Sequence, residues 1–386
     1  MSNRDVAVIG VGYTTFQALT PDVNWKEMMF EAASEAYEDA GLDPRKDVDS
    51  FITCAEDFWE GFSIFDEFTP DQLGAVLRPM HTVSGDGLQG LASAYMLIRS
   101  GLCDIVAVEA HSKISELLTF EGVVKLSFDP VYEAPLFETA HPYAAAGLEM
   151  RSYLEASGTT EEQCAAVAAQ HKRNAFSNPI AGFAARIETD DVLDSGYLFD
   201  PLKKLEIAPR ADGSIVIVLA SGDVARRYAK PVYLEGIGWS SDSPWIASRG
   251  SDAPYAARAA EQAYRKASIA NPQKEIDFAE VDDQFAFKTL QHLEALGLAR
   301  PGEAGHLAEE GALGRNGHLP VNVSGGSLGC GHLMEASGLA KALEVTLQLR
   351  GEAGKRQLSN ARVGVAQSWR GVPHGTGAVA VFSRRD

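Results

Sequence analysis

Stretches of this 386-residue chain repeat one another in order, and that duplication limits the possible fold more than any other feature. The run VAVIGVGYTTF, Val6 to Phe16, returns as VYLEGIGWSSD, Val232 to Asp242, so Gly10 and Gly12 correspond to Gly236 and Gly238. EAASEAYEDAGLDP, Glu31 to Pro44, returns as RAAEQAYRKASIANP, Arg258 to Pro272, an Ala-rich helical pattern with Tyr37 matched by Tyr264 and a stop signal at its end. DVDSFITCAEDF and EIDFAEVDDQF then each read as a strand and its end. Across these elements the offset stays between 226 and 228 residues, which unrelated apolar runs would not maintain. Two copies of one strand–helix–strand unit are expected.

Each copy continues with a Gly-rich turn and a helix. In the first, HTVSGDGLQGLASAYMLIRSG places Leu88, Leu91, Ala92, Tyr95, Ile98 and Leu102 on one helical face, and the strand DIVAVEA follows. In the second, VSGGSLGCGHLMEASGLAKALEVTLQLRG leads to RVGVAQS. Each half closes on a further apolar run, Asp212 to Ser221 and Thr376 to Phe382. Strands alternating with helices in this way predict a mixed, largely parallel sheet covered by helices. The halves are expected at 1–228 and 229–386, the first carrying an inserted segment at about 112–210 that the second lacks. Such insertions commonly shape substrate pockets.

Composition excludes several functions. With 34 Lys and Arg against 53 Asp and Glu the net charge is −19, and no basic stripe exists, so a nucleic-acid groove is not expected. No apolar run is long enough for a signal peptide or membrane span, which makes a cytoplasmic protein the expectation. The four cysteines, Cys54, Cys103, Cys164 and Cys330, form no CxxC pair and predict neither disulfides nor a metal site in this chain.

Four separated motifs on a duplicated frame resemble the thiolase superfamily over essentially the whole chain, in its sterol-carrier-protein-type and archaeal branch. The resemblance implies a five-layer αβαβα fold of two βαβαβαββ halves. The family's acyl-accepting cysteine stands in the first Gly-rich turn, where this chain has Ser84 in SGDG. Its Gly-His-Pro motif is matched by Gly331 and His332, with Leu333 replacing proline. Its Asn-Glu-Ala-Phe or His-Asp-x-Phe box reads DDQF, Asp282 to Phe285, and its last cysteine loop reads SWRGVPHGTGAVAVF, with Gly371 near the missing cysteine and His374 close by.

On this resemblance the expected activity is retro-Claisen cleavage of a 3-oxoacyl-CoA, with coenzyme A as co-substrate and His332 transferring protons. Bulky or aromatic substrates, such as a 2-benzoylsuccinyl-CoA type, suit an insertion carrying Phe120, Phe128, Tyr132, Phe137 and Tyr143. A homodimer core and a separate small zinc-ribbon, OB-fold subunit are implied partners. Serine at position 84 is the difficulty, because a hydroxyl is a far weaker nucleophile than a thiolate. Three explanations stay open: Ser84 replaces a natural cysteine, Cys330 takes over as nucleophile, or no covalent intermediate forms. If Ser84 holds the thiol's place, Ser84→Cys should create acyl transfer, since a helix N-terminus stabilises negative charge. The third explanation leads to retro-aldol cleavage of a 3-hydroxyacyl-CoA, and a non-catalytic subunit of a complex remains as an alternative.

The remaining candidates have plainer readings beside the chemical ones. Ser84 also reads as a helix cap, Cys330 as a packing residue, and His374 as a base, an oxyanion donor or a loop histidine. Adjacent residues of an extended chain face opposite ways, so only one of Asp282 and Asp283 can enter a site. By motif that is Asp282, whose carboxylate would repel an enolate unless its pKa is raised. The aromatic run Phe58, Trp59, Phe62, Phe65 and Phe68 reads as core, with a partner surface as the alternative.

Overall fold

The computed structural model describes residues 4–56, 64–117, 119–129, 131, 133, 135, 140–243 and 250–385. In the first half β1 (Val6–Tyr13), α1 (Trp25–Ala40), β2 (Ser50–Cys54), β3 (Met80–Val83), α2 (Gly87–Ser100), β4 (Ile105–Ser112) and β5 (Gly213–Ser221) follow one another. Between β4 and β5 lie α3 (Phe120–Leu126), α4 (Ala144–Ser157) and α5 (Glu161–Asn174). The second half comprises β6 (Val232–Ser241), α6 (Pro254–Ala267), β7 (Phe278–Glu280), α7 (Ala286–Ala295), α8 (Gly326–Cys330), α9 (Ser337–Arg350), β8 (Val363–Trp369) and β9 (Thr376–Arg384).

Nine strands form one mixed sheet in the order β3-β2-β4-β5-β1-β6-β9-β8-β7. The duplication is visible in that order. From the centre outward each half runs first strand, closing strand, then the strand after the central helix, then the second strand. The third-strand position of the second half is held by Val321, bridged in parallel to Ala279. The halves meet where β1 pairs antiparallel with β6, Ala7 opposite Tyr233. Five of the eight neighbouring pairings are antiparallel, so the sheet is less parallel than the sequence pattern predicts. The closing strands β5 and β9 insert between their neighbours in the opposite sense and convert two junctions in each half.

The repeated Gly-x-Gly has a steric cause. A Cβ on Gly10 or Gly12 would fall 2.5 Å from Ala36 O or 2.1 Å from Ala32 O, and one on Gly236 or Gly238 would fall 2.1 Å from Ala263 O or 2.3 Å from Ala259 O. Each Ala-rich helix therefore lies with its backbone against the opening strand of its half, α1 on β1 and α6 on β6. These helices make the two outer layers. The central layer is α2 and α9, whose apolar faces (Leu88, Leu91 and Ile98; Leu339, Leu343 and Leu347) share one core.

One carboxylate holds the two central helices together. Asp86 caps α2 by accepting from Leu88 N–H (2.9 Å) and also accepts from Gly338 N–H at the start of α9 (2.8 Å). Gln89 Oε1 completes a capping box on Asp86 N–H at 3.1 Å. The cap expected of Ser84 is thus made two residues later. Leu102 is 76% exposed, a departure from the predicted buried face. Gly101 takes φ 82° and ends α2 before that residue. Of the aromatic run, Phe65 is buried and Phe68 largely exposed, while Phe58, Trp59 and Phe62 lie outside the described residues, as do Tyr132 and Phe137 of the insertion.

Candidate active site

Just past the end of the short strand β7 lies a fully buried pair, Asp282 and Asp283. Alternation sends them to different partners. Asp283 accepts from His171 Nδ1 (2.9 Å), Lys341 Nζ (2.9 Å), Ser327 N–H (2.7 Å) and Leu328 N–H (3.1 Å). Burial alone would push its carboxyl up, but Lys341 and His171 hold it well below the usual range. It is an ionised structural anchor. Asp282 donates its N–H to Gln367 Oε1 (2.8 Å) and accepts from Gln284 N–H on Oδ1 (3.0 Å), while Oδ2 is buried with no hydrogen-bond partner. Burial pushes this carboxyl up to about 7 against the opposing pull of Lys341.

His332 follows α8 and is also buried. The segment 207–211 brings it to the DDQF box. Ala208 N–H donates to Gln284 O (2.9 Å), His332 N–H to Pro209 O (2.7 Å), and Ala211 N–H to His332 O (3.0 Å). The imidazole state follows from its neighbours. Met334 N–H donates to Nδ1 at 3.2 Å, so Nδ1 carries the lone pair, and burial pushes the ring's pKa down to about 4. At neutral pH the ring is therefore uncharged with its proton on Nε2. That Nε2 is buried and unpartnered. Gln284 Oε1 is likewise unpartnered, its amide nitrogen reaching Tyr143 Oη at 3.5 Å.

Three buried polar atoms without partners thus sit on residues held by one backbone segment. Buried polar atoms are mostly satisfied in folded proteins, so these leave the site able to bond a further group. The arrangement offers a carboxyl group poised near neutral pH and a neutral N–H donor.

A buried hydrogen-bond chain fixes Asp282 from behind. The carbonyl of Asp282 only accepts, so His292 Nδ1 donates to it (3.1 Å) and Nε2 must accept from Tyr255 Oη (3.0 Å). Lys288 Nζ in turn donates to Tyr255 Oη (3.3 Å), lies 4.2 Å from the Trp369 ring centroid and pairs with Glu149 of α4. Burial keeps His292 uncharged, its pKa pushed down to about 3.

The other sequence candidates stand apart. Ser84 is exposed on the turn between β3 and α2 and makes no hydrogen bond among the described residues. The N-terminus of α2, expected to support charge at residue 84, instead serves the carboxylate of Asp86. Cys330 is buried, donates Sγ–H to Ser324 O (3.1 Å) and accepts from Asn178 Nδ2 (3.4 Å), and burial pushes its thiol up. This is a packed thiol, ill suited to attack. His374 is half-buried, with its N–H on Gly371 O (2.7 Å) and its carbonyl accepting from Trp369 Nε1 (2.5 Å). Its loop touches the site through Gly371, where a Cβ would lie 3.0 Å from Gln284 Oε1. Among the described residues no cluster of His, Cys, Asp or Glu could hold a metal ion, and no helix is long and apolar enough to cross a membrane.

Sequence reasoning missed Gln284, Tyr143, Arg210 and the chain through His292. Gln284 stood inside the quoted box, Tyr143 was named only as an aromatic, and Arg210 carried no local signal. Arg210 lines a cleft of about 800 Å³ with Phe120, Tyr143, Phe183 and Ile207.

The fold is that of a two-half α/β protein, with a buried carboxyl and a neutral imidazole beside the strand ends of its second half. Residues 246–384 match the family of thiolase C-terminal domain-like sequences. The chain is 34% identical to an acetyl-CoA acetyltransferase of Methanothermobacter thermautotrophicus over 99% of this chain and 100% of that one. It is 28% identical to human sterol carrier protein 2 over 93% of this chain and 69% of that protein. Among solved structures it superposes on the Ltp2-ChsH2(DUF35) aldolase with a TM-score of 0.84, at 22% identity and 98% coverage of both chains. The acetyl-CoA acetyltransferase of Syntrophomonas wolfei gives 0.74 at 19% identity and 99% coverage of both. This chain belongs to the thiolase superfamily.

Proposed function

We propose that this protein cleaves the C2–C3 bond of a 3-hydroxyacyl-CoA by a retro-aldol reaction, without an acyl-enzyme. The observation that carries this reading is the absence of a usable thiol. Residue 84 is serine, and burial pushes up the thiols of Cys54, Cys103, Cys164 and Cys330 alike. Thiolysis needs a nucleophile; aldol cleavage needs a base and a stabilised enolate.

Asp282 and His332 suit those roles. Ionised Asp282 takes the proton of the substrate's 3-hydroxyl on Oδ2, C3 becomes a carbonyl, and the C2–C3 electrons pass into a thioester enolate. His332 Nε2–H donates to the enolate oxygen. Asp282 is neutral at that moment, so the repulsion between carboxylate and enolate vanishes as the charge develops. The same proton then returns to C2 and releases a shorter acyl-CoA. A homodimeric core and a small zinc-ribbon, OB-fold subunit belong to this proposal. The likeness to a structure described as the Ltp2-ChsH2(DUF35) aldolase supports the second of these.

A second reading, CoA-dependent retro-Claisen cleavage through Ser84, is favoured by the acetyl-CoA acetyltransferase names of the archaeal relatives. The reading of a non-catalytic subunit leaves the three unpartnered polar atoms unexplained. Products separate the cases. A panel of 3-hydroxyacyl-CoA esters incubated without free coenzyme A should yield an aldehyde or ketone plus a shorter thioester. Turnover only of 3-oxoacyl-CoA, and only with added coenzyme A, would sink the aldol proposal.

A further inference from the structure

Arg210 stands beside His332 in the backbone, the two joined as a parallel bridge, and Arg210 lines the cleft. Its guanidinium lies 4.2 Å from the centroid of the Phe120 ring and has no ion pair or hydrogen bond among the described residues. Phe120 packs edge-on against Tyr143, with ring centroids 6.2 Å apart, and Tyr143 reaches Gln284. The cation therefore stands at one end of a run of side chains, Phe120, Tyr143 and Gln284, whose other end carries one of the site's unpartnered atoms.

The cleft's charge balance runs against that of the molecule. The protein carries −19, yet among the described residues Lys172, Lys204 and Arg210 line this cleft against a single acid, Glu121. Glu121 is already engaged by His141 Nε2 at 3.2 Å. Lys172 Nζ is buried on the Leu328 carbonyl (2.9 Å), with no carboxylate hydrogen-bonded to it among the described residues. The guanidinium lies over the Phe120 ring with its N–H groups making no hydrogen bond among the described residues, and a free N–H fork is the geometry that reads a carboxylate or phosphate.

We propose that the acyl group cleaved here carries a carboxylate, bound by Arg210, with an apolar body against Phe120, Tyr143 and Phe183. The proposal rests on the reading of this site as one that handles coenzyme A thioesters. A phosphate of coenzyme A has the same chemistry, but the pantetheine arm holds those phosphates far from the thioester. Arg210 neighbours the residue placed at the thioester oxygen, so its anion belongs to the acyl side.

The test needs no turnover and uses the full chain with any native partner. Glutaryl-CoA, butyryl-CoA and free coenzyme A are titrated calorimetrically into the wild type, Arg210→Met and Arg210→Lys. The wild type should bind glutaryl-CoA about ten- to a hundredfold more tightly than butyryl-CoA. Arg210→Met should bring that ratio close to one, and Arg210→Lys should keep part of it. Equal affinities in the wild type would overturn the proposal. A uniform loss across all three ligands in Arg210→Met would place the guanidinium on the coenzyme instead. Failure of all three to bind the wild type would overturn the thioester reading itself, whereas failure of aldol turnover with the affinity ratio intact would overturn only the reaction.

Discussion

Replacing Asp282 by Asn should lower kcat/KM for carbon–carbon cleavage by about two to four orders of magnitude, the usual worth of a positioned acid–base group. The wild-type rate should rise with pH and level off above about 7, because only the ionised carboxylate takes the hydroxyl proton and burial has pushed its pKa up to about 7. In the Asn variant that rise should be gone. The same substitution should stabilise the fold at alkaline pH. A carboxyl whose folded pKa lies above its unfolded value of 3.8 loses stability as pH climbs from about 4 through 7. The penalty reaches about 4 kcal/mol at pH 8 for a shift of this size, and the neutral amide escapes it. Denaturant unfolding across that range, beside pH–rate profiles, reads both effects. An Asn variant that is equally active, or one less stable at pH 8 than at pH 5 relative to wild type, contradicts the assignment.

His332 should show the second large effect, and its form distinguishes a donor from a base. His332→Phe removes the Nε2–H aimed at the enolate oxygen and should cost about two to three orders of magnitude in kcat, as loss of an oxyanion donor does. His332→Gln restores an N–H without a titratable group and should recover part of the rate. Between pH 5 and 6 the wild-type rate should rise with the Asp282 ionisation alone and show no second titration, since burial holds the imidazole pKa near 4. If Gln proves as inactive as Phe and a second titration appears near pH 6.5, His332 is a base and the tautomer inferred from Met334 N–H is not the working one.

Features set by backbone packing could be read from the sequence. The paired Gly-x-Gly and Ala-rich helices recur because each helix must lie on its strand without intervening Cβ atoms, a requirement that leaves a visible composition. The divergent fates of Asp282 and Asp283 follow from the two-residue period of an extended chain. Features that depend on contact between distant segments were not legible. Asp86 binds Gly338 across 252 residues, so its service to both central helices has no local pattern beyond the capping residues Asp86 and Gln89. The proton on His332 depends on a backbone N–H two residues away in a fold-specific turn. Arg210 looks like an ordinary loop cation until the cleft brings Phe120 beneath it. Ser84 was misread as the beneficiary of the helix N-terminus because the chain supplies a carboxylate two residues closer to that end.

Bond cleavage without a covalent acyl-enzyme is put to the test by the kinetics of Ser84→Ala on a productive 3-hydroxyacyl-CoA, with intact-protein mass measured during turnover. Ser84 is exposed and makes no hydrogen bond among the described residues, so kcat/KM should stay within about threefold of wild type, as for surface changes away from the chemistry. No acyl mass increment should appear on either protein. A fall of about a thousandfold or more, with an adduct on the wild type that Ser84→Ala lacks, would show that the serine carries the acyl group and that the protein is a covalent acyltransferase.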